Sequence, residues 1–300
     1  MKFYINQYQN KGQAFKTALI KAGHVEDLDA PDVALFDRDR YIHNDREPRR
    51  EVCAYINSTI MVYPHSALPP WWYDGLVALH DYVKCVFVIG EGQKRAMNII
   101  NPHARVEVTG WPWCEVQPFR ANEIRNILFA PIHPAGGRLR PEAFEANQSI
   151  MRDLKSLGSK YHVTIRFIES RIRQGLSRHE AFHWIRGVPD NSTDDIDNAD
   201  LVIAEGTMMY LAAARGKPVI GINQHLPCRA NKMSEQYTPH NWHKYGDDIA
   251  YPINYGEAPI LELFERALIE QTQWRKDFIG EQMDSKTFSK KVVNVWRENS

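Results

Sequence analysis

The chain has 300 residues, 43% of them hydrophobic and 25% charged, a balance that excludes a disordered or fibrous chain and suits two α/β lobes of about 120–180 residues each. Lys and Arg total 37, as do Asp and Glu; up to Pro118 the counts are 13 basic and 14 acidic, and beyond it 24 and 23. No global field draws either half to nucleic acid or anionic membrane, so a polyanionic partner needs a local patch.

Cys53, Cys85, Cys114 and Cys228 are widely spaced and form no C-x-x-C pair, which reads as reduced thiols and not as a disulfide frame or zinc site. The opening MKFYINQYQNKGQAFK lacks the apolar core of a secretion signal, and no apolar run approaches the ~20 residues that cross a bilayer. The expectation is a soluble, cytoplasmic protein (host cytoplasm if viral) without membrane insertion.

In chain order, Lys2–Asn6 reads as a strand, and Ala14, Phe15, Ala18 and Leu19 recur at helical spacing over 13–22, with Gly23 as the stop. Buried strands are expected at 32–36, 59–63 and 85–89. A helix over 92–100 and a strand at 105–108 complete five strands before residue 110. Thr109-Gly110-Trp111-Pro112-Trp113 through Pro118-Phe119 then breaks the alternation, as an extended connection would.

A second series follows. Strands are expected at 124–130, 161–168, 200–204 and 218–222, with helices at 141–157, where Pro141 suits a first turn, and at 206–215. Two more helices, near 259–272 and 285–298, close the chain. Short apolar runs alternating with helical patterns are the sign of βαβ units and parallel sheets.

The most specific stretch is Asn198-Ala199-Asp200-Leu201-Val202-Ile203-Ala204-Glu205-Gly206-Thr207, then Ala212-Ala213-Ala214-Arg215-Gly216-Lys217-Pro218-Val219-Ile220. It resembles the donor lobe of the GT-B-fold glycosyltransferase superfamily: A-D and two apolar residues, a Gly-Ser/Thr turn, a helix, then G-K-P-V-I. Val108-Thr109-Gly110-Trp111-Pro112 with Pro118-Phe119 resembles that superfamily's link between lobes, and Ile127 through Pro134 its first strand and loop in the second lobe. The resemblance spans roughly residues 85–225, extends more distantly to polyol-phosphate transferases and UDP-sugar 2-epimerases, and includes phage enzymes that glycosylate DNA bases.

What the resemblance implies is an α/β fold of two Rossmann-like lobes with parallel sheets facing a central cleft. An acceptor lobe would cover 1–118, a nucleotide-sugar lobe 119–280, and the helix 281–300 would pack back on the first lobe. The activity would be transfer of a hexose or pentose from a nucleotide-diphosphate sugar, most simply a UDP-sugar, to an acceptor hydroxyl. No metal and no cofactor beyond that donor would be used.

On the residues alone, a strand that turns through Glu205-Gly206-Thr207 into a helix presents unpaired N–H groups and a positive dipole end to a diphosphate. An ordinary strand–turn–helix is the plain alternative. The donor-site candidates are Gly206, Thr207 and Met208 with the loop residues His133, Gly137, Arg138 and Arg140. The helix lacks the carboxylate that many such enzymes place there for the ribose, so either Glu205 or a residue outside the motif takes that role, or the ribose is held differently. Gly187 and Val188 stand where the resemblance implies a base-binding loop.

A catalytic base is expected at a strand end of the first lobe: His65 first, then Asp37 and Asp74. For the acceptor, Arg38, Arg40, Trp71 and Trp72 suit duplex DNA carrying 5-hydroxymethylpyrimidines, through phosphate pairing and base stacking. Asp37, Asp39, Asp45, Glu47 and Glu51 offset the arginines of that stretch, and prolines beside the tryptophans suit sugar stacking. A glycan or wall-polymer glycosyl or polyol-phosphate transferase therefore stays open. A 2-epimerase is a third reading, although His133-Pro134-Ala135-Gly136-Gly137 differs from that family's H-R-x-E-N-type loop, and a non-enzymatic nucleotide-sugar sensor is a fourth.

Overall fold

The computed structural model describes residues 1–6, 12–37, 54–64, 82–100, 105–131, 141–168, 176–188, 192–222, 253–269 and 271–300. Among them the chain forms two α/β units. The first takes in Met1–Glu115 and resumes at Lys276 to run to Ser300; the second begins at Val116 and ends at Arg275. The breaks thus fall three residues before the expected 118/119 boundary and five before the expected 280/281 boundary.

The first unit contains β1 (Lys2–Ile5), α1 (Gln13–Lys21), β2 (Val25–Glu26), β3 (Val33–Asp37), β4 (Thr59–Tyr63), β5 (Val83–Val88), α2 (Glu91–Ile100) and β6 (Arg105–Val108). Its sheet runs β2-β1-β3-β4-β5-β6, and every pairing is parallel. Side chains alternate between faces, so both faces must be covered. Phe3, Ile5, Val33, Leu35, Met61, Tyr63, Cys85 and Phe87 point to one core, and Ala34, Phe36, Ile60, Val62, Val86 and Val88 to the other.

The final helix, α8 in the numbering used below (Ser285–Asn299), covers the first of these faces together with α1. Phe288 packs 5.1 Å from Phe15 and 5.2 Å from Phe87. Asp284 caps this helix through the Thr287 N–H at 2.9 Å, which fixes where it starts.

The second unit contains β7 (Asn126–Ala130), α3 (Pro141–Ser156), β8 (His162–Phe167), β9 (His183–Arg186), α4 (Ser192–Asp197), β10 (Leu201–Ala204), α5 (Gly206–Ala214), β11 (Val219–Gly221) and α6 (Ile260–Ile269). Helix α7 (Gln271–Phe278) follows, and the boundary between units falls within it. The sheet order is β11-β10-β7-β8-β9, again all parallel. Ile127, Phe129, Val163, Ile165, Leu201, Ile203 and Ile220 meet Ile150 and Leu154 of α3 and Leu263 and Phe264 of α6.

Four elements depart from the sequence reading, one of them α7, a separate helix that runs past the expected end at 272. Strand β2 is two residues long and half-exposed, too short to show a period. Strand β9 reads His183-Trp184-Ile185-Arg186 on the sheet edge, so it lacks the apolar run of the central strands. Helix α4 holds six residues, and its Asp194 and Asp195 favour a first turn more than any apolar stripe announces a helix.

The ends of the link are fastened by backbone. In the first unit the Trp111 N–H donates to Glu281 O at 2.8 Å, the Met283 N–H donates to Trp111 O at 3.0 Å, and Gly110 has φ +78° with Glu281 O 2.6 Å from where a Cβ would stand. In the second unit the Gln117 N–H donates to Ala214 O at 2.8 Å and the Arg120 N–H to Gly216 O at 2.9 Å. Trp111 itself is buried, donating to Cys114 Sγ at 3.1 Å and meeting Trp113 edge to face.

Candidate functional site

In an open parallel sheet, ligands bind at the carboxyl ends of the strands, where the chain reverses its direction of travel across the sheet. The second sheet has one such point. The chain steps from β7 to β8 to β9, then returns to place β10 and β11 on the opposite side of β7. Beyond the ends of β7 and β10, the adjacent central strands, lie Pro131 and Glu205-Gly206-Thr207.

Gly206 opens α5 with φ +56°, and among the described residues nothing beyond its chain neighbours and its own helix backbone lies within 4 Å of where its Cβ would be. The turn is tight because glycine takes that φ without strain. Glu205, the residue before the helix, makes no side-chain cap bond. The first-turn N–H groups thus receive no acceptor from the cap residue, and Thr207 is exposed beside them. Behind this turn α5 is almost wholly buried, with Met209, Tyr210, Ala212, Ala213 and Ala214 inside, and Tyr210 stacks on Trp274 at 5.7 Å. The exposed helix start is therefore held by a rigid body.

A second group stands at the ends of β8 and β9. Arg166, only 3% exposed, sits one residue before the end of β8. Its Nε donates to Asp195 Oδ2 at 2.6 Å, and its Nη2 donates to Val188 O at 2.6 Å and to Ser192 Oγ at 3.0 Å. The Gly187 N–H donates to Phe167 O at 2.8 Å. A Cβ on Gly187 would stand 2.4 Å from Arg166 Nη1, so the turn after β9 follows the guanidinium closely enough to require glycine. The Val188 side chain faces solvent. Sequence reading placed Gly187 and Val188 in a base-binding loop but missed Arg166. The available signal was an arginine inside the apolar strand Val163-Thr164-Ile165-Arg166-Phe167, since a buried cation needs a partner.

The first sheet reverses between β1 and β3. Asp37 lies at that point as the last residue of β3, in register with Tyr63, and it is fully buried. The strand therefore extends one residue beyond the expected end at Phe36, and Asp37 belongs to it. Tyr63 Oη donates to Asn6 O, which ties β4 to the end of β1, and Gly12 comes within contact distance of both groups. His65, Asp74, Arg38, Arg40, Trp71, Trp72, His133, Gly137, Arg138 and Arg140 lie outside the described residues.

Several residues of the resemblance motif serve the opposite end of the second sheet. Asp200 Oδ2 accepts from the N–H groups of Arg125 at 3.0 Å and Asn126 at 2.8 Å, so it starts β7. Gly216 has φ +78°, with Pro118 O 2.1 Å from where its Cβ would be. Lys217 Nζ donates to the carbonyls of Asp197 at 2.8 Å and Ala199 at 2.7 Å, and burial lowers its pKa. These residues hold strand starts together. A cavity of about 330 Å³ between His162, Thr164, His183, Asp195 and Asn198 also lies mainly towards the strand starts, away from the reversal point.

No family model matches the chain, and no curated protein sequence does. Solved structures do match it. The wall teichoic acid polymerase TagF aligns with TM-score 0.52 at 13% identity, over 99% of this chain and 88% of that one. The UDP-GlcNAc 2-epimerase of Methanocaldococcus jannaschii, solved with UDP-GlcNAc and UDP, gives 0.52 at 12% over 97% and 81%. The glycosyltransferase SnogD from Streptomyces nogalater gives 0.52 at 11% over 98% of both chains.

The chain has the GT-B fold. At these identities the likeness concerns architecture, and chemistry must be argued from the sites. In GT-B terms, the strand–turn–helix at Gly206 belongs to the second Rossmann-like lobe and Asp37 to the first. No helix among the described residues is long and apolar enough to cross a membrane.

Proposed function

We propose that the protein is a glycosyltransferase that moves a sugar from a nucleotide-diphosphate sugar to an acceptor hydroxyl. The observation that carries this reading is the Gly206 turn at the reversal point of the second sheet, where glycine takes a positive φ, Glu205 makes no side-chain cap bond and, among the described residues, nothing stands close above the turn. A diphosphate there would accept from the N–H groups of the first turn of α5 and lie at its positive dipole end. Thr207 would add a hydroxyl donor, with Met208 beside it, and His133, Gly137, Arg138 and Arg140 would complete the cradle. Glu205 would take the ribose hydroxyls, and the 187–188 turn the base. We assign UDP as the nucleotide and no metal or further cofactor.

Transfer breaks the bond between the anomeric carbon and the diphosphate oxygen. The acceptor oxygen forms the new bond, its proton passes to a base, and the nucleoside diphosphate departs with the bond's electron pair. His65, Asp37 and Asp74 are the bases we propose, in that order. Asp37 is buried at the end of β3, at the reversal point of the first sheet.

As acceptor we propose a 5-hydroxymethylpyrimidine in duplex DNA, held by Arg38 and Arg40 and stacked by Trp71 or Trp72. The support is the residue types of 38–51 and 71–73 alone. A second reading, transfer to a glycan or wall polymer, is favoured by the likeness to TagF. The test is release of free nucleoside diphosphate from a panel of nucleotide sugars, with and without DNA containing 5-hydroxymethylpyrimidines. Release that requires the modified DNA supports both donor and acceptor; release with glycan acceptors alone removes DNA. A chain that neither binds nor cleaves any donor in the panel is not a glycosyltransferase of this kind.

A further inference from the structure

We infer that Arg166 is the positioning residue of the nucleotide-base half of the donor site, acting through the 187–188 turn and not by touching the diphosphate. The inference rests on the reading of that turn as the base-binding loop.

Four observations carry it. The guanidinium is nine-tenths or more buried, and its bonds converge on the segment that follows β9: Val188 O, Ser192 Oγ and the Asp195 carboxylate. Strand β9 is a half-exposed edge strand, so its own pairing and burial leave the turn beyond it weakly held. Gly187 lies so close to the guanidinium that no side chain fits between them. The exposed Val188 side chain stands on the same residue whose carbonyl Arg166 grips. Arg166 therefore sets the height and orientation of the turn at Val188, beside the single backbone bond from the Gly187 N–H to Phe167 O named above. Arginine suits the task because its planar fork serves three acceptors at once and stays charged, whereas lysine offers a single point. The Gly206 turn follows a different strand, β10, and none of the Arg166 bonds named above ends on it.

That separation is what the experiment reads. Binding of UDP, CDP, GDP and ADP to the full chain is measured by calorimetry, and inorganic pyrophosphate is measured as a probe of the helix start alone. The variants are Arg166→Met, Gly187→Ala and the pair together, with thermal melting as a check of folding. We expect the preferred nucleotide to bind about tenfold to a hundredfold more weakly to either single variant, as a displaced recognition loop would cause. Pyrophosphate should stay within about twofold, since its site is untouched. The double variant should lose less than the product of the two singles, because the added methyl then meets no guanidinium.

Nucleotide binding unchanged in folded variants overturns the inference, and so does an equal loss for nucleotide and pyrophosphate, which marks a general structural role. If Arg166→Met does not fold, Gly187→Ala, which leaves both the Arg166 and the Asp195 charge in the chain, decides by the same criterion. A wild-type chain that binds none of the four nucleotides overturns the donor reading itself, and the inference with it.

Discussion

Replacing Gly206 by alanine tests the donor site most directly, because the structure separates its two consequences. The residue holds φ +56° and, among the described residues, nothing outside its own helix lies within 4 Å of the new Cβ, so the cost to folding there is backbone strain. A side chain in the left-handed region costs about 1–2 kcal/mol. For a lobe of this size that is a fall in Tm of about 2–8 °C. Binding suffers differently. A phosphate oxygen accepting from a first-turn N–H sits about 2.9 Å from the nitrogen, while a methyl group needs about 3.5–4 Å from its neighbours. The two compete for the space above the turn. Losing a hydrogen bond to a charged group, about 1.5–3 kcal/mol, weakens binding about 10- to 150-fold. Calorimetric titration with UDP and with pyrophosphate should show that loss for both, and Thr207→Ala, which removes an exposed hydroxyl, should lose less. A Gly206→Ala chain with lowered Tm but unchanged affinity for both probes would refute the placement of the diphosphate.

Three further outcomes are expected. Asp200→Ala removes the acceptor for two backbone N–H groups at the start of β7, so urea unfolding should show a loss of about 1–3 kcal/mol without any change in nucleotide affinity. Trp111→Ala empties a buried site at the junction of the link with the returning segment and should cost about 3–5 kcal/mol, again by urea unfolding. Burial pushes the Cys85 thiol from 9.0 up to about 12, so the folded state keeps its proton where the unfolded state has lost it. Stability from this group is complete below about pH 9 and is lost as pH climbs towards 12, by up to about 4 kcal/mol. Lys217 acts in the opposite sense below 10.5, because burial lowers its pKa. The thiol's part is therefore read as the difference in alkaline slope between wild type and Cys85→Ala. A slope unchanged in Cys85→Ala would contradict the burial argument.

The regular elements were legible wherever a strand is buried on both faces or a helix carries a full apolar stripe. Thr59–Tyr63 and Arg105–Val108 stand at the residues expected, and Asn126–Ala130 and Leu201–Ala204 within two. Their apolar runs leave few alternatives. Edge strand β9 and the six-residue α4 were not legible, because neither buries enough surface to impose a period. The motif around Gly216-Lys217 pointed to the right architecture for a reason that is itself architectural: both residues hold strand starts.

What the sequence determined by itself is the alternation of strands and helices, the break in it over residues 109–119, and the strand–turn–helix at Gly206. Each of these is a local consequence of apolar spacing or of glycine's freedom at positive φ. What only the tertiary structure decided is which strand ends become neighbours. The order β11-β10-β7-β8-β9 places the reversal point between β7 and β10, and it brings Arg166 to acceptors 22 to 29 residues further along the chain. Such a grouping follows from the crossovers of a parallel sheet, which join residues that carry no shared local pattern.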